Sequence, residues 1–297
     1  MKLISGSSNQ SLANEVAQKL GVEQVQVEIS RFANSETKVW IKEDIQDETI
    51  ILLQSFSQPT DKHIIEFLLL ADAIERAGAE EVIAVIPWLG YSLQDKVFRP
   101  GEPISAKVVA NMVSSSFVKR IILIDLHNSS IPGFFSKPTL HLSAMSLMAD
   151  HISNEIEDKS NYVVASPDFG GLKRAFEFAE RLDLPLAKID KRRDLHTRKI
   201  VGMNLNGEVT NKTVLIFDDV ILSGGTVRQA AHILKKHGAK EVVFLATHGL
   251  FVNDSLAKLQ ASAVDRIIIA NTIEQENLPA KISQVSVAKM ITQAIKR

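Results

Sequence analysis

Strand-like and helix-like patterns alternate along this chain, and the alternation predicts an α/β fold: two similar domains in tandem, each a mostly parallel sheet flanked by helices. Two further observations support it. The strand-like runs are short and apolar and bounded by turn residues, as in strands covered on both faces. Three segments of the first half also recur, in the same order, in the second half.

Taken in order, residues 2–4 read as a strand and Ser5 to Asn9 as a turn. Leu12, Val16 and Leu20 then fall at helical spacing, and Gly21 closes that helix. Val25, Val27 and Ile29 alternate with polar residues, which predicts a half-buried strand. Arg31 to Glu36 is a polar turn, and Thr37 to Ile41 alternates again. Thr49 to Gln54 reads as a buried strand, Ile64 to Ala77 as an apolar helix ended by Gly78, and Val82 to Pro87 as the next strand. Trp88 to Asp95 is a polar–aromatic loop. A helix within Pro103 to Phe117 and a strand from Ile121 to Asp125 follow.

The repeat sets the domain organisation. Glu48 to Ser55 matches Lys212 to Asp219, Ala77 to Val85 matches His237 to Leu245, and Val118 to Ile124 matches Val264 to Ala270. The first domain is expected over 1–141 and the second over 142–284. The last helix, 285–297, has no counterpart in the second copy and is expected to pack back on the first domain.

Composition bounds the function. The 297 residues are 45% apolar and 23% charged, with a formal net charge of −1. This is an ordinary globular composition, without the broad basic field of a dedicated nucleic-acid binder. Cysteine is absent, which excludes thiolate nucleophiles, disulfides and Cys-based zinc sites and fits a cytoplasmic protein. Met1 to Gly6 enters a strand rather than the apolar region of a signal peptide, and no apolar run is long enough to span a bilayer.

Ligands of open α/β sheets bind at the carboxyl ends of strands, and there the two copies differ. In the second, the apolar run Val214 to Phe217 leads to Asp218 and Asp219, then to Ser223, Gly224, Gly225 and Thr226, and then to an amphipathic helix. Glycines, hydroxyls and a helix N-terminus form an anion site, and phosphate is the usual anion. The two acids would repel phosphate but suit sugar hydroxyls beside it, or a metal ion bridging to it, so the stretch points to a phosphorylated sugar. The plainer alternative is a βα turn with an exposed acidic pair and a capped helix. The first copy has Gln54 to Thr60 at this place, with no acidic pair and no glycine.

Three other strand ends carry candidate chemistry. Asp125 and His127 end one strand, where a histidine can contact phosphate or metal or can be purely structural. Asp168, within Ser166 to Gly171, can ligate Mg²⁺ through oxygen or cap a helix. Lys191, Arg192 and Arg193 follow another strand and lead to His196 and Arg198. They suit a clamp on polyphosphate, or a solvated basic loop.

Together these motifs resemble, over nearly the whole chain, the ribose-phosphate pyrophosphokinase family, the phosphoribosyl pyrophosphate (PRPP) synthetases. The resemblance implies two phosphoribosyltransferase-like domains and transfer of pyrophosphate from Mg-ATP to ribose 5-phosphate, releasing AMP. It further implies that Ser223, Gly224, Gly225 and Thr226 hold the 5-phosphate and that Asp218 and Asp219 hold the ribose hydroxyls. Lys191 and Arg193 would be catalytic. Phe32, Asn34, Glu36, Gln94, Asp95 and His127 would bind ATP, and His127 and Asp168 would serve Mg²⁺. A homodimer or higher homo-oligomer is implied as well, with neither nucleic acid nor membrane as partner. Two positions depart from the family pattern: Asn34 stands where aspartate is usual, and Leu93 where arginine is usual. A transferase that consumes PRPP, or a non-catalytic regulatory homologue, are the alternative readings.

Overall fold

The computed structural model describes residues 1–193 and 200–297, with side chains for 1–189 and 205–297. His196 and Arg198 lie outside the described residues. The chain forms two compact units. One comprises Met1–Ser143, Asn271–Glu274 and Ser286–Arg297; the other comprises Ala144–Ala270 and Gln275–Val285.

The first unit begins with β1 (Lys2–Ser5) and α1 (Gln10–Leu20), then the hairpin strands β2 (Val27–Arg31) and β3 (Thr37–Ile41). Next come β4 (Thr49–Leu53), α2 (Thr60–Arg76), β5 (Glu81–Ile86), α3 (Ser105–Ser115), β6 (Arg120–Ile124) and β7 (Thr139–Leu142). Its main sheet has the order β1-β4-β5-β6-β7, and every pairing is parallel. The hairpin β2–β3 is a separate antiparallel sheet. Asn9 caps α1 by accepting the Leu12 N–H at 3.1 Å, and Gly21, at φ 71°, closes it in the left-handed conformation that suits glycine. Ile50, Leu52, Phe67, Leu70, Ile121 and Leu123 are fully buried in the core. A C-terminal helix (Ala288–Ile295) belongs to this unit. Arg120 Nη2 donates to its Ile295 carbonyl at 2.6 Å, and Val287 N–H donates to Asn271 Oδ1 at 2.9 Å.

The second unit contains α4 (Met145–Ser153), β8 (Tyr162–Ser166), α5 (Leu172–Leu182), β9 (Leu186–Arg193), β10 (Ile200–Asn206) and β11 (Thr213–Ile221). It continues through α6 (Gly225–Lys236), β12 (Glu241–Gly249), α7 (Ser255–Gln260), β13 (Arg266–Ala270) and β14 (Ile282–Val285). The sheet order is β10-β9-β8-β11-β12-β13-β14. All its pairings are parallel except β9 with β10.

The internal repeat is visible in the hydrogen bonds. Asp47 N–H donates to Gly78 O at 2.8 Å in the first unit, and Asn211 N–H donates to Gly238 O at 2.8 Å in the second. Thr49 pairs with Glu81, and Thr213 with Glu241. Asp47 and Asn211 both adopt φ 59°, a left-handed turn position that short polar side chains tolerate. Two sequences that differ at most positions thus keep one register, because the register fixes which residues reach the core.

Two strands run further than their apolar stretches. β11 continues through Asp218 and Asp219 to Ile221, paired with β12 as far as Gly249. Phe217, Asp219 and Ile221 are buried while Asp218 and Val220 are half-buried, so the period of two persists past the acids. β9 likewise continues to Arg193, with Lys191 opposite Met203 and Arg193 opposite Ile200 in the backbone ladder.

At the first unit's counterpart of the acid pair, Gln54 is fully buried. Its Oε1 accepts from Ser8 N–H at 3.1 Å and Ser8 Oγ at 2.6 Å, and its Nε2 donates to Glu66 Oε1 at 2.7 Å. A Cβ on Gly6 would overlap the Gln54 carboxamide, which these hydrogen bonds hold in place. Gly6→Ala is therefore expected to destabilise the protein by about 1–3 kcal/mol, the usual cost of overpacking, measured by thermal or urea unfolding.

Candidate functional site

The acid pair lies in the carboxyl half of β11. Asp219 is 5% exposed and Asp218 half-buried. Carboxylates are seldom buried without a partner, and here the partner comes from α5. Arg174 Nη1 contacts Asp218 Oδ1 closely and Asp219 Oδ1 at 3.1 Å. Asp218 Oδ1 also accepts the Asp219 N–H at 3.0 Å. Burial, and next the neighbouring Asp219 carboxylate, push Asp218 up to about 7 against the opposing pull of Arg174.

After β11 the chain turns through Leu222 and Ser223, both exposed, to Gly224. Gly224 is the N-cap of α6 at φ 71°, and a Cβ there would meet Leu259 Cδ2 at 2.9 Å. Conformation and packing both require glycine at this position. Gly225 differs. The nearest atom to a Cβ placed there is Ser223 Oγ at 3.7 Å, so the space beside it is open. Backbone N–H groups at a helix N-terminus, two hydroxyls and open space are the components from which an anion cradle is built.

Asp168 follows β8. Its Oδ1 accepts the Gly171 N–H at 3.0 Å, and its carbonyl accepts from Ser166 Oγ at 2.6 Å, which sets the turn into α5. The same turn delivers Arg174 to the acids. Phe169 beside it is 84% exposed.

In the first unit, Gln94, Asp95 and His127 stand on the loops after the adjacent strands β5 and β6. The loops are tied together: Asn128 Nδ2 donates to Asp95 Oδ2 at 2.5 Å. Ser105 Oγ, at the start of α3, donates to Gln94 Oε1 at 2.5 Å. Leu126 N–H donates to His141 Nε2 at 2.9 Å. Burial holds His141 below its usual range, which keeps that nitrogen free to accept and fixes the chain just before His127. His127 itself is exposed. Phe32, Asn34 and Glu36 share the tip of the β2–β3 hairpin, where Glu36 N–H donates to Asn34 Oδ1 at 3.3 Å and Lys38 lies 5.9 Å from the Phe32 ring. Their hairpin is a separate sheet from the one whose strands lead into the loops of Gln94, Asp95 and His127.

Known proteins match the whole chain. The pattern describing the N-terminal domain of ribose phosphate pyrophosphokinase matches residues 1–116, and that of the phosphoribosyl synthetase-associated domain matches 193–297. The ribose-phosphate pyrophosphokinase of Thermotoga maritima is 38% identical, over 100% of this chain and 94% of that protein. The chain belongs to the ribose-phosphate pyrophosphokinase family. The enzyme of the same name from Bacillus caldolyticus is also 38% identical, over 100% of this chain and 94% of that one. The crystal structure of phosphoribosylpyrophosphate synthetase from Mycobacterium smegmatis matches with a TM-score of 0.90 at 32% identity, covering 99% of this chain and 97% of that one. The α/β fold with two phosphoribosyltransferase-like domains is the fold of this family. Among the described residues, no helix is long and apolar enough to cross a membrane.

Within this family frame, Arg174 is the site residue that sequence reading missed. It is the third residue of α5, one turn past Gly170 and Gly171, and in sequence it looks like one more cation on a polar helix face. A buried acid pair needs a nearby cation, and that was the available signal.

Two outcomes follow from this geometry. Asp218 binds a proton near pH 7 when folded and near 3.8 when unfolded. The stability it contributes is fully present below about 3.8 and is lost as pH rises to about 7. Asp218→Asn, neutral throughout, is expected to be more stable than wild type at pH 8 by on the order of 1–2 kcal/mol, with the gap closing toward pH 4, in calorimetric melts at both pH values. Gly225→Ala, with room for its methyl group, is expected to unfold within about 0.5 kcal/mol of wild type. It should nevertheless raise the Michaelis constant for the anion that the cradle holds by at least about tenfold, or about 1.4 kcal/mol of binding, measured by initial rates.

Proposed function

We propose that the chain transfers a pyrophosphoryl group from Mg-ATP to the anomeric hydroxyl of ribose 5-phosphate, giving PRPP and AMP. The anomeric oxygen forms a bond to the β-phosphorus and the bond from that phosphorus to the α,β-bridging oxygen breaks. AMP leaves with that oxygen, and the hydroxyl proton is released to solvent. What carries this reading is the acid pair followed by an open cradle at β11, in a chain aligned end to end with relatives named ribose-phosphate pyrophosphokinase.

In this reading Ser223, Gly224, Gly225 and Thr226 hold the 5-phosphate, and Asp218 and Asp219 accept hydrogen bonds from the ribose hydroxyls. Lys191 and Arg193 stabilise charge on the transferring group, and the β9–β10 ladder that carries them supports this with a defined backbone. Phe32 stacks on adenine while Asn34 and Glu36 meet its edge; Gln94, Asp95 and His127 attend the phosphates. The division of labour is ATP on 1–141, with the last helix, and sugar phosphate on 142–284.

Mg²⁺ fits the donors present. Among the described residues no group of three or more His, Asp or Glu side chains converges. Mg²⁺ is commonly taken by one or two carboxylates plus substrate phosphates, which supports Asp168 as a ligand; His127 is the other residue that this reading gives to Mg²⁺. When bound, the ion neutralises polyphosphate charge. The cysteine-free composition supports work in the cytoplasm. Trp40, 55% exposed on the hairpin, supports assembly as a homodimer or higher homo-oligomer.

The test mixes purified protein with ATP, Mg²⁺ and ribose 5-phosphate. AMP formation that requires ribose 5-phosphate supports the proposal. Consumption of added PRPP with a base, without AMP, replaces it with a PRPP-consuming transferase; binding without turnover replaces it with a regulatory homologue. Lys191→Ala is expected to lower kcat by about a hundredfold or more, with the Michaelis constant for ribose 5-phosphate within about threefold of wild type, in steady-state assays.

A further inference from the structure

Asp218 and Asp219 are consecutive residues of one strand, and side chains at consecutive strand positions leave on opposite faces. A single guanidinium nitrogen nevertheless reaches both: Arg174 Nη1 contacts Oδ1 of each acid. Asp218 Oδ1 takes a second donor, the Asp219 N–H, at 3.0 Å. The two carboxylates are therefore gathered into one unit, with Asp218 Oδ1 committed to the protein.

We propose that Arg174 is a positioning residue that sets sugar specificity, holding Asp218 and Asp219 as a paired acceptor for the two neighbouring hydroxyls of the ribose ring. The inference rests on the sugar-phosphate reading of this loop. Each ring hydroxyl donates to one carboxylate, so both carboxylates must be ionised and correctly turned. With the guanidinium gone, two adjacent acids of low exposure lack their counter-charge, and the proton that Asp218 already binds near pH 7 is retained to higher pH. A protonated carboxyl presents a donor where the sugar also presents a donor. Arg174 itself is three-quarters buried, with 25% side-chain exposure, and its first turn is fixed by the Asp168 to Gly171 turn. It is thus held in place before any ligand arrives.

The pairing also explains discrimination. A site whose polar groups are arranged for two hydroxyls rejects a sugar that lacks one, because a buried acceptor is left unpaired. 2-Deoxyribose 5-phosphate is that sugar. Loosening the pair should weaken binding of ribose 5-phosphate more than binding of its deoxy analogue.

The test compares wild type, Arg174→Met and Arg174→Lys in steady-state AMP release, with ribose 5-phosphate and with 2-deoxyribose 5-phosphate. Thermal unfolding checks that each variant is folded. For Arg174→Met the Michaelis constant for ribose 5-phosphate is expected to rise about 10–100-fold, while that for ATP stays within about twofold. The kcat/KM preference for ribose over deoxyribose is expected to fall at least about tenfold. Arg174→Lys restores the charge without the planar fork and is expected to recover part of both effects. If Arg174→Met does not fold, the Lys variant carries the same two ratios, which must fall between wild type and loss. An unchanged sugar Michaelis constant, or equal losses for both substrates with the preference intact, would reduce Arg174 to a structural ion pair. Wild type that releases no AMP with ribose 5-phosphate overturns the proposed reaction, and with it this inference about how the reaction selects its sugar.

Discussion

The second unit is arranged around one electrostatic constraint: two consecutive carboxylates in the buried part of a parallel strand. Desolvation and mutual repulsion oppose their ionisation, and β11 carries them only because α5 supplies a cation. That requirement links elements distant in sequence. The turn after β8 must deliver the start of α5 to β11, which it does through Asp168 and the Gly171 N–H. The turn after β11 must then leave its amides and hydroxyls open, which it does through Gly224, held left-handed against Leu259. A charged and partly open strand end is costly in stability, and such sites are characteristic of function rather than of packing.

The first unit shows the same scaffold with the constraint removed. Its β4 is followed by Gln54, a neutral side chain whose amide is fully paired, and in the turn after β1 Glu66 accepts from Ser7 N–H at 2.5 Å and Ser7 Oγ at 2.8 Å. In the turn after β4 itself, the Ser55 N–H donates to Ser8 Oγ at 2.8 Å and the Phe56 N–H to the Trp88 carbonyl at 2.8 Å, so these amides are satisfied by the protein's own groups. The duplicated register and turns persist because they serve the core, while the residues at the strand ends differ.

Much of this was legible in the sequence, for a physical reason. Apolar periodicity marks β4, α2, β5 and β6 and their counterparts, because each buries a face in the core. The repeat could be read from Gly78 and Gly238, whose left-handed turns recur. What the apolar pattern could not show is where strands stop. β11 runs on through two acids, and β9 through Lys191 to Arg193, because ladder hydrogen bonds are indifferent to side-chain polarity once a partner strand continues alongside. β7 and β10 were not anticipated: β7 is a short, half-buried edge strand with Thr139 and His141 in its four residues, and β10 is an edge strand with a glycine and two asparagines. The anion cradle was visible as a motif, whereas its cation, Arg174, was not, since only the folded chain brings residue 174 to residues 218 and 219.

The central claim is that the second unit alone offers an open sugar-phosphate cradle and that its counterpart in the first is filled from within. Amide hydrogen exchange with and without ribose 5-phosphate, at saturating Mg-ATP, tests it directly. The account expects protection to grow across residues 222–228, with no ribose 5-phosphate-dependent change across residues 54–60. Ribose 5-phosphate-dependent protection across 54–60, or none across 222–228, would contradict it.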